Sequence, residues 1–147
     1  MSYGTSLSIL RSVVDSERRL PSLEFSQAHT EAGHSMAAHD AYGMRIGTMR
    51  FADDENPEYQ TITHSHVEDS FRGRGYGTML YLGAAALAYD QNKRLRSDVL
   101  VTIDAARVWI RLQSHGVARI EQPFHWSDPA GHSDHGWAAF RPLDQLS

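Results

Sequence analysis

Cysteine is absent from the 147 residues. Without it there is no disulfide framework, no thiolate nucleophile and no Cys-based zinc centre. Lysine is nearly absent too: of 14 basic residues, Lys93 alone is not arginine. Codon bias accounts for that most simply, although an enzyme that modifies amines would also keep its own lysines few. No apolar run approaches the ~18 residues of a membrane helix, so no membrane partner is expected. The opening MSYGTSLSILRSVVDSERRL lacks the basic start and continuous apolar stretch of a secretory signal, which makes a cytoplasmic location the expectation. Positive charge is not in excess either. The formal net charge of −4 argues against a nucleic-acid binder, which usually carries a basic surplus. There is no internal repeat and no low-complexity tract. The length suits one domain, residues 1–147, large enough to bury a proper core.

The patterning that is present predicts an ordered series of elements. Apolar residues spaced through Leu7 to Leu20 suggest an amphipathic helix, broken at Pro21. Leu23 and Phe25 alternate with polar neighbours, as in a strand. From His34 to Val67 the pattern is antiparallel sheet, with Asp40-Ala41-Tyr42-Gly43 as a turn and Thr61, Ile62, Thr63 and Val67 favouring a strand. Thr78–Tyr89 is rich in Leu and Ala and apolar nearly all round, so it reads as a buried helix. Leu95–Val101 reads as a strand and Ile103–His115 as a helix closed by Gly116. Val117–Ile120 and Trp137–Phe140 are short strands separated by a polar loop. Strands in series before any strand–helix alternation indicate an α+β or mixed-sheet fold.

Between the fourth strand and the buried helix lies FRGRGYGTMLY, residues 71–81. Gly73, Gly75 and Gly77 free the backbone so that N–H groups can converge on an anion, and the helix start adds partial positive charge. Arg72 and Arg74 add more. A flexible surface turn is the bland alternative. No Lys-Ser or Lys-Thr follows the glycines, which excludes the GxxxxGK[ST] loop of ATP and GTP binders. The spacing is GxGxG, not the GxGxxG of dinucleotide folds.

Arg72-x-x-Gly75-x-Gly77, after a strand ending in Val67 and before an Ala/Leu helix, resembles the pyrophosphate-binding motif of the GNAT superfamily of acyl-CoA-dependent N-acyltransferases. Ile46-Gly47 is similar to a glycine that follows an aliphatic residue in a central strand of that family. Asp104-Ala105-Ala106 through Leu112 and Gly116 resembles its later helix. The likeness spans roughly residues 34–120. It implies a central, mostly antiparallel, splayed sheet flanked by helices, and acetyl-CoA as cosubstrate. The backbone from Arg72 through Gly73, Arg74, Gly75, Tyr76 and Gly77 to Thr78 would hold the pyrophosphate, and Val67 would meet the pantetheine arm. The partner would be an amine acceptor, small molecule or protein, with homodimerisation open. A catalytically inactive acyl-CoA-binding module is the alternative.

Catalytic groups are less defined. His64 and His66 are candidate bases because imidazole titrates near neutrality, and two-residue spacing puts both on one face of a strand. The family position falls nearer Thr61 or Thr63. Exposed or satisfied polar residues are the competing reading, and Glu68 and Asp69 are alternative bases. The resemblance implies a tyrosine acid near Leu112, which this sequence lacks. Ser97 or Ser114 could substitute, although capping or surface roles suit each. His125, Asp128, His132, Asp134 and His135 cluster near the C-terminus, but on a polar loop nothing would fix a metal geometry, and no metal is expected. Trp126 and Trp137 read as packing residues.

Overall fold

The computed structural model describes residues 3–14, 23–30, 33–73, 75–126 and 131–146. Helix α1 (Tyr3–Val14) is followed by strands β1 (Glu24–Thr30), β2 (Gly33–His39), β3 (Arg45–Asp53) and β4 (Tyr59–Val67). A 3-10 turn (Asp69–Phe71) leads into α2 (Tyr76–Asp90). Then come β5 (Arg94–Arg96), α3 (Ile103–Ser114), β6 (Ala118–Trp126), β7 (Ser133–Phe140) and a 3-10 turn at Leu143–Gln145. The strands form one sheet in the order β1-β2-β3-β4-β5-β7-β6. Every neighbouring pair is antiparallel except β4 with β5. This is the mixed α+β architecture that the element order predicts.

Local chemistry explains the first half. The Asp40 carboxylate accepts the amides of Tyr42 and Met44, each at 2.9 Å, and Gly43 takes φ +80°, which closes the β2–β3 hairpin. Helix α2 is buried from Thr78 through Tyr89 because α1 packs on one side of it and the sheet on the other. Its small residues allow that close fit. The Phe25 ring of β1 covers Gly83, where any Cβ would overlap it. On α3, Trp109 is buried edge-on between Tyr81, at 5.4 Å, and Phe140, at 5.5 Å.

The feature that positions the site is a divergence of two strands. β4 and β5 pair only over Tyr59–Thr61 and Arg94–Arg96. β4 then runs on to Val67, while the other chain leaves the sheet. Ser97 stays with β7: its N–H donates to the Ala138 carbonyl at 2.8 Å, and its hydroxyl accepts the Ala138 amide at 2.9 Å. Asp98 then accepts the Val99 amide at 2.7 Å and bends the chain outward, exposing Val99 and Leu100. The strand expected over Leu95–Val101 therefore shrinks to three residues. The apolar Val99-Leu100-Val101 run carries β propensity, but it meets β7 through Ser133, whose hydroxyl donates to the Val99 carbonyl at 2.6 Å and whose amide donates to the Val101 carbonyl at 3.0 Å, rather than along a ladder.

The last strands depart from expectation in the other direction. β6 and β7 extend to Trp126 and back to Ser133, so four of the ten residues of the expected polar loop SDPAGHSDHG, residues 133–136, are sheet. Register shifts interrupt the ladder at three places, and Pro123 sits in β6, an edge strand that tolerates it. Those irregularities break the two-residue alternation on which sequence reading depends. α1 begins before the expected Leu7. The remainder of that expectation, residues 15–20 and the break at Pro21, lies outside the described residues.

Candidate active site

The glycine loop is built from the end of β4. Gly47 of β3 pairs opposite Val67, and a Cβ at Gly47 would stand 2.6 Å from the His66 carbonyl oxygen. Only a glycine there lets the two backbones meet, and the Glu68 amide then donates to the Ile46 carbonyl at 2.8 Å. Past the 3-10 turn, Gly73 and Gly75 take φ values of +77° and +84°, a region that side chains disfavour. Gly75 is the N-cap of α2 and supplies no side-chain hydrogen bond. The first amides of α2, at Tyr76, Gly77 and Thr78, precede the bond from the Met79 amide to the Gly75 carbonyl at 3.1 Å and emerge at the positive end of the helix dipole. Tyr76 contributes its backbone; its ring packs edge-on against Phe71 at 5.3 Å. Arg74 lies outside the described residues.

These amides open into a cleft of about 540 Å³ between α2, α3 and the free edge of β4. Arg72, Arg107 and Arg111 line it, with Asp104 as the facing carboxylate. Arg111 Nη1 donates to Thr78 Oγ1 at 3.1 Å. Arg72 lies 4.0 Å and Arg107 3.7 Å from Asp104. Three guanidinium groups against one carboxylate make the cleft net cationic beside a helix N-terminus, suited to a polyanion. Arg72 also donates to the Val67 carbonyl at 3.3 Å, so that oxygen has a partner before any ligand arrives. The sequence reading missed Arg107 and Arg111. Their i, i+4 spacing places both on one face of α3, and Thr102, which accepts the Ala105 amide at 3.1 Å, fixes where that helix starts.

A second, smaller pocket of about 180 Å³ occupies the gap between β4 and the departing chain after β5. Thr63, His64, Ser97, Asp98, Trp109 and His132 line it. Ser65, Tyr81, Thr102 and Ala105 border both cavities, so the two are neighbours. At that border Ser65 Oγ and Tyr81 Oη share a hydrogen bond of 3.1 Å. One hydroxyl donates to the other, which leaves one O–H proton of the pair free to turn towards a ligand. Burial pushes the Tyr81 phenol up to about 12, with the Ser65 bond acting weakly the other way, so it is neutral at ordinary pH. Neither residue stood out in the sequence, since a tyrosine within an apolar helix reads as core.

The two candidate histidines do not act on one space. His64 borders the small pocket and His66 the cleft, 3.7 Å from the Glu68 carboxylate. The β3–β4 register shifts beside Arg50, leaving Thr63 unmatched, and this bulge twists the strand next to His64. Glu68 also faces Arg45 at 3.6 Å, and Asp69 faces Arg72 at 3.3 Å. Ser97 borders the small pocket, with its oxygen already accepting the Ala138 amide. Ser114 donates to the Arg111 carbonyl at 2.6 Å and borders neither cavity. Leu112 is fully buried in the core, so no acid stands there. Trp137 packs edge-on against Tyr59 at 5.7 Å, with the Arg96 guanidinium 4.3 Å over its ring. In the histidine-rich segment, His125, Asp134 and His135 stand on paired strands rather than on a loop, and Asp128 lies outside the described residues.

The fold that surrounds this pair of cavities is that of the GNAT acetyltransferases. A Bacillus subtilis acetyltransferase in complex with CoA superposes with a TM-score of 0.62 at 13% identity, over 82% of this chain and 99% of that one. A GNAT family acetyltransferase from Elizabethkingia anophelis with acetyl-CoA bound gives 0.60 at 12% identity, over 82% and 98%. The Vibrio cholerae spermidine N-acetyltransferase in complex with CoA and spermine gives 0.58 at 12% identity, over 80% and 70%. No family model matches the sequence, and no curated protein matches it. The likeness is one of fold.

Proposed function

We propose that the chain is an acyl-CoA-dependent N-acyltransferase of the GNAT superfamily that transfers acetyl from acetyl-CoA to a primary amine by direct attack in a ternary complex. One observation carries the reading: a cationic cleft at a helix N-terminus adjoins a small polar pocket, and two hydroxyls stand where they meet. The pyrophosphate would lie on the amides of Tyr76–Thr78, with Arg72, Arg107 and Arg111 around it. The pantetheine arm would run along the unpaired edge of β4, past Val67 and His66, towards Ser65 and Tyr81. The acceptor amine would enter the small pocket, where the Asp98 carboxylate favours a cationic group.

In the reaction the neutral amine attacks the thioester carbonyl, a C–N bond forms, and an oxyanion develops before the C–S bond breaks. His64 would take the proton from the incoming ammonium, directly or through water; its position on the wall of the small pocket supports that role. The free O–H of the Ser65–Tyr81 pair supplies a donor for the oxyanion, and orientation of the two substrates supplies much of the rest. As the C–S bond breaks, the thiolate leaves without help from the Leu112 position, and the surplus proton on the new amide nitrogen passes to it through solvent. A phenol pushed up to about 12 is a weak acid for it, so Tyr81 serves better as donor than as acid.

That missing acid also favours a second reading, an acyl-CoA-binding module without turnover. Release of free thiol from acetyl-CoA with a panel of primary amines separates the two. Amine-dependent release supports transfer. Calorimetric binding of acetyl-CoA without release for any amine supports the inactive module, and no binding heat at millimolar ligand overturns both.

A further inference from the structure

The far end of the β6–β7 hairpin gathers three metal-binding side chains that the acyl-transfer reading does not use. His125 of β6 pairs directly opposite His135 of β7, and the next pair is Trp126 with Ser133. Asp134 is therefore an extra residue on β7, two residues there standing against one on β6. Regular alternation would send Asp134 and His135 to opposite faces of the sheet. The bulge re-aims them, and both reach His125. A neighbouring glycine makes the bulge possible: Gly136 takes φ +103°, and a Cβ there would overlap the backbone of Pro123 and Phe124.

The result is a compact donor set. Nδ1 of His125 and Nδ1 of His135 each lie 2.9 Å from Oδ1 of Asp134. The two imidazoles stack with centroids 4.7 Å apart and planes 9° from parallel. One ligand atom from each residue falls within 4.8 Å of the others. All three side chains are exposed, so small torsional changes can bring the donors to the roughly 2.0–2.2 Å that a zinc ion requires, with water completing the shell.

We propose that His125, Asp134 and His135 form a binding site for a divalent transition-metal ion of the zinc, nickel and copper group, which clasps the edge strand β6 to β7. Two imidazoles and one carboxylate match ions of intermediate softness; calcium and magnesium prefer all-oxygen shells. The site is distinct from both cavities of the proposed acyl-transfer centre, and it stands whether or not that reading does.

The test is calorimetric titration of zinc chloride into tag-free, chelator-washed protein at pH 7.5, with copper(II) electron paramagnetic resonance as a second readout. One ion should bind per chain, and copper should show coupling to two nitrogens. His125→Ala, His135→Ala and Asp134→Asn should each weaken zinc by at least about tenfold, the loss that even an outer-shell partner can cause. His115→Ala, on the turn after α3, should leave it unchanged. Because the three side chains are exposed, the variants should melt normally without metal, and zinc should raise the melting temperature of the parent protein but not of the His125→Ala/His135→Ala double variant. Absence of saturable zinc binding, or binding that the double variant retains, overturns the proposal.

Discussion

The two cavities that meet at Ser65 and Tyr81 are built by different means. The cationic cleft is mainly backbone: two left-handed glycines, the first amides of α2 and the helix end itself, all within residues 73–78, with arginines added from α3. The small pocket is made of side chains from β4, α2, the chain after β5, α3 and His132 just before β7. A site made of local backbone tolerates few substitutions and leaves a spacing in the sequence. A site assembled from distant side chains leaves none, and its selectivity can change one residue at a time.

The sharpest way to break that contrast is to put a side chain into the backbone-built site. Gly75→Glu forces a residue with a Cβ into φ +84° and places negative charge where phosphate would sit. Acetyl-CoA affinity should fall by at least about 100-fold in calorimetry, with the fold retained by circular dichroism. Retained affinity would remove the loop from the account.

Next in size is the division between the histidines. His64→Ala should lower turnover by about 100-fold or more and leave acetyl-CoA affinity unchanged, because His64 borders only the small pocket. His66→Ala should instead act mainly on the KM for acetyl-CoA. Steady-state kinetics with both substrates varied would show the split, and identical behaviour of the two variants would erase it.

The arginines of α3 should give smaller effects. Arg107→Ala and Arg111→Ala should each weaken acetyl-CoA by roughly tenfold or less, since both groups are exposed, and the loss should shrink as salt is raised. Effects confined to the amine KM would assign these residues to the wrong cavity.

The smallest effect concerns Tyr81 at the border. Its phenol is pushed from 10 up to about 12 by burial, so the folded state holds the proton more tightly than the unfolded chain. That contribution is complete below pH 10 and is lost as pH rises through about 12; by pH 11 the loss is only about 1 kcal/mol. Melting temperatures from pH 9 to 11 should therefore fall less steeply for Tyr81→Phe than for the parent. Tyr89, also raised by burial, is common to both chains and cancels in the comparison.

What could be read beforehand follows the same division. The hairpin turn at Asp40–Gly43, the enclosed α2 and the glycine loop were legible because each rests on local chemistry. The place of Gly47 was legible only through a resemblance; its physical reason, the His66 carbonyl at its back, needs the paired strands. Val99-Leu100-Val101 misled because β propensity does not reveal that the run turns outward at Asp98 and meets β7 through Ser133 rather than along a ladder. The ends of β6 and β7 were hidden by bulges that break alternation, and with them the convergence of His125, Asp134 and His135. Ser65 and Tyr81 were invisible because only the divergence of β4 from β5 makes their shared hydrogen bond a border between two cavities.

A crystal structure of the protein with coenzyme A tests the central claim most directly. The pyrophosphate should lie on the amides of Tyr76–Thr78 and the thiol at Ser65 and Tyr81, facing the small pocket. Coenzyme A bound elsewhere, or a thiol directed away from that pocket, would contradict it.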